Sequence, residues 1–295
     1  MQAHCAPKLF TSLIIKNIYF DPMALQLQKS ISSRNNNIRV YMGEVWKARA
    51  LITTFALRDL RLQYAQTYLG VFWSFIQPLT ALLIFHFFFQ RVIHINLHVP
   101  YSVFACTGMM GWFLFTQLVG QSGTALMNNQ QLIRKIQFPR LVLPVAKVIN
   151  GLVEFSVILV MLVVLMLVTG CSFSFKIVWL PLVVAANILV GLSVGIWLSA
   201  LTIRFRDMHH IIPFLIGFGI WVTPVFYPTT MVPEGFNLIY YFHPVANIIA
   251  LYRWIFIDWP INFMQVFVSF FIAAVLLVSG LAYFIRNEKF IADYL

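Results

Sequence analysis

Long apolar runs alternate with short polar segments along most of the chain. Six of these runs approach the roughly 20 residues that a helix needs to cross a bilayer. They lie near residues 70–90, 101–127, 144–168, 177–203, 211–227 and 261–284. Because a helix satisfies its own backbone hydrogen bonds in lipid, the pattern predicts an all-α integral membrane protein with six transmembrane helices.

A seventh apolar run, over residues 236–257, is interrupted by Asn237, His243-Pro244, Asn247 and Arg253. Each uninterrupted piece is too short to cross the membrane. Just before it, the fifth span breaks at Pro224 and Pro228 rather than in a charged loop. Irregular backbone at membrane depth is tolerated where protein or a water-filled cavity satisfies it. We therefore predict an outer re-entrant helical element between the fifth and sixth spans, with an ordinary surface loop as the alternative.

The segment before the first span divides into two parts. Residues 1–42 look like a polar, weakly ordered cytoplasmic tail, and residues 43–68 follow helical spacing with one apolar face. That face comprises Val45, Ala48, Ile52, Phe55, Ala56, Leu60 and Tyr64. We predict an N-terminal amphipathic interfacial helix along the inner membrane surface. It is either a simple anchor or a docking helix for a cytoplasmic partner.

Composition and charge agree with a membrane protein and fix a predicted orientation. The chain has 295 residues, of which 61% are hydrophobic and 10% charged, against about a quarter charged in soluble domains. With six spans, the basic clusters near 58–61, 134–140, 204–206 and 286–289 fall on one side, which the positive-inside rule makes cytoplasmic. Both termini are then cytoplasmic. The net charge of +11 follows from this bias, so nucleic-acid binding is not indicated.

The predicted cytoplasmic loop over residues 128–143 mixes basic and apolar side chains. It reads NNQQLIRKIQFPRLVL, and an amphipathic turn ended by Pro139 could press apolar side chains into a groove on a partner. Adhesion to the membrane surface is the alternative.

Four stretches, considered together, resemble a known family. They are LRDLRLQYAQTYLGVFWSFIQPL (57–79), QLIRKIQFPRLVLPVAKV (131–148), RFRD (204–207) followed by TPVFYP (223–228), and HPVANIIALYR (243–253). In order and spacing they resemble the membrane subunit of ABC type 2 polysaccharide exporters, which move O-antigen, capsule or teichoic-acid polymers. Residues 69–295 would form the ABC type 2 transmembrane domain. His243 departs from the pattern, since asparagine is expected before that proline.

The resemblance implies a homodimer in the bacterial cytoplasmic (inner) membrane that binds two copies of a separate cytoplasmic ATPase and a lipid-linked polysaccharide. The sequence contains no G-x-x-x-x-G-K-[ST] phosphate loop, so ATP and Mg would be bound by the partner, with no cofactor in this chain. The 43–68 helix, the 131–140 loop and the 204–207 turn would transmit motion from the ATPase. The implied coupling residues are Arg58, Asp59, Arg61, Gln131, Arg134, Lys135, Phe138, Pro139, Arg140, Arg206 and Asp207. A purely structural pairing of Arg206 with Asp207 is equally open.

Other side chains are candidates for the cargo path. Glu154 lies ten residues beyond Pro144, about 15 Å along a helix and so near the bilayer midplane, where a carboxylate usually faces an interior or a cavity. It has either a structural hydrogen bond or a pathway role. Aromatic rings in the first span could contact sugar faces, although most membrane aromatics serve packing or the interfacial belt. The channel candidates are Phe72, Phe75, His86, Phe89 and Glu154, and the outer-gate candidates are Pro224, Tyr227, His243 and Pro244.

Other functions remain as alternatives to polysaccharide export. An ABC type 2 exporter of a drug or lipid would share the fold. A membrane-embedded transferase would need clustered acids or a metal-binding histidine spacing, and His209-His210 beside Asp207 lacks both. The sequence therefore predicts no catalytic or metal site. A passive channel would not need two docking elements.

Overall fold

The protein is described by a computed structural model that covers residues 38–64, 72–95, 97–205 and 207–294. Within these ranges the regular structure is helical. The helices are α1 Ile38–Lys47, α2 Arg49–Tyr64, α3 Phe72–His86, α4 Tyr101–Asn128, α5 Gln130–Lys135, α6 Val142–Thr169, α7 Leu180–Arg204, α8 Met208–Val222, α9 Asn237–Phe242, α10 Pro244–Ile257 and α11 Phe263–Tyr294. A π-helical turn, Phe87–Val92, extends α3, and the 3-10 turn Phe175–Trp179 leads into α7.

Five helices are long and apolar enough to cross a membrane. They cover Phe72–Val92, Tyr101–Asn128, Val142–Thr169, Phe175–Arg204 and Phe263–Glu288, which matches five of the six runs in the sequence. The fifth run behaves differently, because α8 has 15 residues. At 1.5 Å per residue it is about 22 Å long, short of the roughly 30 Å hydrocarbon core.

The centre of the bundle is α4, which packs against α6, α7 and α10. Small residues on α7 allow the close approach of α4. A Cβ atom on Gly191 would lie 2.8 Å from Leu118 Cδ1, and one on Gly195 would lie 2.9 Å from Ser122 Cβ. Contacts this close show that the two helices meet through glycine, as small residues allow in membrane bundles.

The N-terminal part differs from the predicted single helix over 43–68. Two helices, α1 and α2, meet at Ala48, where the helix is interrupted. Tyr41 of α1 and Phe55 of α2 are both buried in one hydrophobic cluster with Phe138 and Phe284. Both helices therefore bury side chains in the same cluster on either side of the interruption. Residues 1–37 and 65–71 lie outside the described residues.

Candidate functional site

The bundle has two ends that carry the candidate residues. The α5 end comprises α1, α2, α5, the start of α6 and the last turns of α11. The α10 end comprises residues 223–262, the 170–179 connection and the segment that joins Val92 to Tyr101. Contacts across each end support this grouping, because Arg140 bonds to Glu288 at one end and Lys176 pairs with Asp258 at the other.

An ion-pair network joins α2 to α4 and α6 at the α5 end. Asp59 Oδ2 accepts a hydrogen bond from Lys147 Nζ at 2.6 Å, and Asp59 Oδ1 accepts from Arg58 Nη2 at 2.7 Å. Arg58 Nη2 also donates to Asn129 Oδ1 at 2.7 Å. The side chains of Asp59 and Lys147 are only 13% and 12% exposed. Three segments of the chain are therefore tied together through one largely buried carboxylate.

A second junction holds the start of α6 against α1 and α11. The Arg140 amide donates to Glu288 Oε1 at 2.9 Å, and the Arg140 guanidinium donates to the Glu288 carbonyl. The Tyr41 hydroxyl hydrogen-bonds the same carboxylate and accepts from the Leu141 amide. Burial, and then the negative charge of Glu288, raise the pKa of Tyr41 well above its ordinary value. Tyr41 therefore stays protonated and keeps its donor for Glu288.

The loop that contains α5 has an anchored side and an exposed side. Ile133, Phe138 and Pro139 are buried, and the rings of Phe138 and Phe55 lie 5.5 Å apart. The exposed side chains of this loop are Gln131, Arg134, Lys135, Ile136 and Gln137. The loop thus presents two cations and one isoleucine to its surroundings while aromatic packing fixes its base.

Glu154 of α6 lies within reach of two amides. Gln63 Nε2 of α2 donates to Glu154 Oε1 at 2.9 Å, and Gln117 of α4 also hydrogen-bonds this carboxylate. Lys147, on the same helix, is engaged by Asp59 instead. Of the two roles considered for Glu154, hydrogen bonding within the bundle is the one with contacts in the structure.

At the α10 end, α8 stops at Val222 and the chain makes a tight turn through Pro224. The Tyr227 hydroxyl bonds to the carbonyls of Trp221 and Val222, each at 3.0 Å, and lies 3.1 Å from the Tyr240 hydroxyl. Carbonyls that α8 leaves without an intrahelical partner are thus satisfied by two tyrosines.

The same turn is held from the other side by two deeply buried residues. Arg253 Nη2 donates to the Val225 carbonyl at 2.7 Å, and the Tyr101 hydroxyl donates to the Phe226 carbonyl at 2.9 Å. The Phe226 ring stacks on Phe85 of α3 at 3.5 Å between centroids. The irregular backbone of this turn is therefore hydrogen-bonded to protein, which is what non-helical structure would require if it lay inside a membrane.

His243 and Pro244 begin α10. His243 Nδ1 accepts a hydrogen bond from the Ala246 amide at 3.2 Å, and Pro244 occupies the first turn, where a missing N–H costs nothing. Burial lowers the pKa of His243, which favours the neutral imidazole that can accept this bond. Histidine thus serves as the N-cap, a role that asparagine also fills well.

The aromatic candidates on α3 separate into exposed and packed groups. Phe72 is 59% exposed and Phe75 is half-buried, with their rings 6.1 Å apart. Phe89 is buried beside Tyr101, and His86 lies 5.9 Å from the same ring. The structure therefore groups Phe89 and His86 with the core. Phe72 lies on the exposed side of α3, which we call its open face.

These features can be compared with known proteins. The family described as "ABC-2 type transporter" matches residues 50–257, from α2 to the end of α10. The chain belongs to the ABC-2 type transporter family. It is 30% identical to an O-antigen export system permease protein RfbA of Klebsiella pneumoniae, over 83% of this chain and 95% of that one. It is 28% identical to an RfbA of Myxococcus xanthus, over 73% and 83% of the two chains, and 24% identical to the polysialic acid transport protein KpsM of Escherichia coli, over 70% and 80%.

For this ABC-2 membrane protein, the predicted coupling residues fall into two groups. One group is exposed, and it comprises Arg61, Gln131, Arg134, Lys135 and Asp207. The other is engaged within the chain, and it comprises Arg58, Asp59, Phe138, Pro139 and Arg140. Arg206 lies outside the described residues. Among those described, no cluster of three histidine, cysteine or acidic side chains could hold a metal ion.

Sequence reasoning assigned no role to several residues that organise the site. Tyr41, Lys147, Tyr101, Arg253 and Glu288 all make the contacts described above. Only Arg253 carried a usable signal, because a lone arginine in the apolar run 244–257 must find a partner. The others are residue types common in helices, and nothing in their local sequence identifies their partners.

Proposed function

We propose that this chain is the membrane-spanning subunit of an ATP-driven exporter that moves a lipid-linked surface polysaccharide across the bacterial cytoplasmic membrane. The observation that carries the proposal is the similarity to O-antigen export permeases over 95% of the length of the first of them. The polysialic acid transport protein among the relatives supports a polymeric, sugar-based cargo. O-antigen, capsule and teichoic acid are the candidate polymers.

The exporter would be a homodimer that binds two copies of a separate ATPase, which supplies ATP and Mg. The exposed cations of the α5 loop support docking at this end, because basic rim residues steer and orient a charged partner. The α5 end would then face the cytoplasm and both termini would lie there. In this arrangement α8, extended by the turn that ends at Pro228, would be the fifth of six crossings in chain order, and α9 with α10 would form the outer re-entrant element between it and α11.

Within this mechanism, nucleotide-driven motion of the ATPase would press on the exposed side of the α5 loop. The Phe55–Phe138 contact and the Asp59 network would pass the displacement to α2, α4 and α6. Phe72 and Phe75 on the open face of α3 would contact the polymer, and the turn around Pro224 and Tyr227 would form the gate with His243 and Pro244. A separate role of Glu154 in the path is not needed for this sequence of events.

Loss of the protein is expected to trap one polymer inside the cell. In a conditional knockout, lipid-linked glycans are fractionated into surface and intracellular pools. One long polymer should vanish from the surface pool and accumulate inside. If every surface glycan stays in place, the polysaccharide assignment fails, and export of a drug or lipid becomes the better reading of the fold.

Reversing the two exposed cations of α5 is expected to release the ATPase. In the Arg134→Glu/Lys135→Glu variant, two glutamates would face the acidic side chains of the ATPase that the two cations are proposed to contact. Juxtaposed like charges cost several kcal/mol, so the affinity for the ATPase should weaken roughly 100-fold. The measurement is the amount of ATPase that co-purifies with the tagged chain from membranes. Arg91→Glu, an exposed reversal at the opposite end, should retain the ATPase. Equal recovery with both variants would exclude the α5 loop as the docking element.

A further inference from the structure

A small polar cavity lies at the α10 end, between α10, the start of α11 and the turn at Pro224. Its volume is about 80 Å³, several times the roughly 10–15 Å³ that one water requires on the same measure. The polar and aromatic residues that line it are Thr229, Tyr240, Asn247, Arg253, Trp259, Asn262 and Gln265. Among the described side chains, none that lines it is acidic.

Of the described side chains that line the cavity, only Arg253 is charged, and its hydrogen-bonding capacity is incompletely satisfied. The residue is 3% exposed, and its guanidinium stacks over the Phe104 ring at 3.8 Å. Nη2 bonds to the Val225 carbonyl, whereas Nε has no hydrogen-bond partner among the described residues. A guanidinium offers five N–H donors, and a buried donor without an acceptor is costly.

The positive charge of Arg253 also lacks a carboxylate in the described part of the chain. The ion pairs there join Asp59 to Arg58 and Lys147, and Asp258 to Lys176. Asp258 is the nearest acid along the chain, but Lys176 neutralises it, and Ser174 also donates to it. An uncompensated buried cation normally requires a paired anion. The cavity beside Arg253 has room for one.

We propose that this cavity binds an anionic group, a carboxylate or a phosphate, carried by the exported polymer. Arg253 would supply the charge-assisted hydrogen bond, and the side-chain amides of Asn262 and Gln265 would donate to the remaining oxygens. Trp259 offers a ring on which a sugar face can pack. The assignment of the anion to the polymer rests on the proposed export function, whereas the site itself does not.

The test uses the full-length chain, with its ATPase, in nanodiscs of phosphatidylcholine. The thermal unfolding midpoint is measured with added glucuronate, inorganic phosphate, or neutral glucose, at constant ionic strength. Glucuronate and phosphate should raise the midpoint through preferential binding to the folded state, and glucose should not. No shift with either anion would overturn the proposal.

Gln265→Glu separates the anion site from the structural role of Arg253. It adds a carboxylate to the cavity lining and leaves the Arg253 bond to Val225 in place, so the apparent affinity for both anions should fall at least 10-fold. Gln265→Met keeps the size without the charge but loses the amide donor, so its anion response should weaken less than that of Gln265→Glu and should not vanish. Equal responses of Gln265→Glu and wild type would overturn the site.

Nanodiscs that contain phosphatidylglycerol identify the source of the anion. If a lipid phosphate fills the cavity, these nanodiscs should stabilise wild type but not Gln265→Glu, and glucuronate should add nothing. That outcome would overturn the assignment to the polymer. A persistent glucuronate response in both lipids supports it. The glycan-pool experiment tests export separately, so failure of one proposal does not hide failure of the other.

Discussion

Replacing Gly108 with alanine is expected to destabilise the protein strongly. An alanine Cβ at this position would lie 2.2 Å from the Val225 carbonyl oxygen and 3.0 Å from Arg253 Nη2. The obstacle is backbone, so either α4 or the turn at Pro224 must move. Overpacking costs up to about 3 kcal/mol, which corresponds to a fall of roughly 6–12 °C in the unfolding midpoint. The measurement is thermal unfolding of the purified chain in detergent.

Gly120→Ala is the matched control for this substitution. It lies on the same helix, α4, where a Cβ would meet only Ile216 Cδ1 at an ordinary 3.5 Å. Since alanine favours helix over glycine by roughly 1 kcal/mol, this variant should be neutral or slightly more stable. Similar midpoints for the two variants would show that the turn at Pro224 is not held closely against α4. Export should also fall in Gly108→Ala at temperatures where the chain is folded, because the turn belongs to the proposed gate.

The helices of this fold were largely predictable from hydropathy, and the exceptions have physical causes. Five predicted spans match helices because their apolar runs are long and uninterrupted. The fifth run was predicted to continue to residue 227, but α8 ends at Val222. The following residues stay apolar and buried without being helical, because Tyr101, Tyr227, Tyr240 and Arg253 satisfy their carbonyls or those of the helix end. Hydropathy reports burial and cannot distinguish a buried turn from a buried helix.

The interruption of the helix at Ala48 is not predictable from the sequence for a related reason. Helical periodicity over 43–68 predicted one amphipathic helix, and the apolar residues Val45, Phe55 and Ala56 are indeed buried. The spacing of apolar residues shows which side of a helix is apolar, and this spacing changes little when the helix is interrupted by one residue. The residues against which both helices are buried, among them Phe138 and Phe284, are distant in sequence, so local periodicity does not report them.

Partners across helices were the least predictable part of the site. The family resemblance implies Asp59, Arg58 and Arg140 as ATPase-coupling residues, and this role stays a prediction. In the structure each is bonded within the chain, to Lys147, Asn129 and Glu288 respectively. A charge in a single sequence indicates that a partner is needed but does not identify it. The exposed Arg134 and Lys135 are therefore better candidates for direct docking, and the paired residues are better candidates for passing motion on.

Substitution of Asp59 with asparagine is expected to uncouple α2 from α6. The change removes the carboxylate that Lys147 contacts at 2.6 Å and leaves a cation that is only 12% exposed without its anion. Breaking one side of a buried pair costs about 3–5 kcal/mol, and partial exposure here favours the lower end. We expect a clear fall in unfolding midpoint and loss of surface polymer, with the polymer retained inside.

The double variant Asp59→Asn/Lys147→Met separates stability from coupling. It removes both charges of the pair, so the remaining cation is Arg58, which is 36% exposed and keeps its bond to Asn129. The stability should therefore recover toward wild type relative to Asp59→Asn alone. Contacting residues typically show interaction energies of about 0.5–3 kcal/mol in such a cycle. If the ion pair only supports the fold, export should recover together with the unfolding midpoint. If the pair transmits motion from α2 to α6, the double variant should be stable, and its partner should still bind and hydrolyse ATP. It should nevertheless export at least about 10-fold less polymer, since a loss near 1.4 kcal/mol in coupling free energy is a factor of ten. Full recovery of export would therefore exclude the Asp59–Lys147 pair from the coupling path. The packing of Phe55 on Phe138 would then be the main contact through which the α5 loop moves α2.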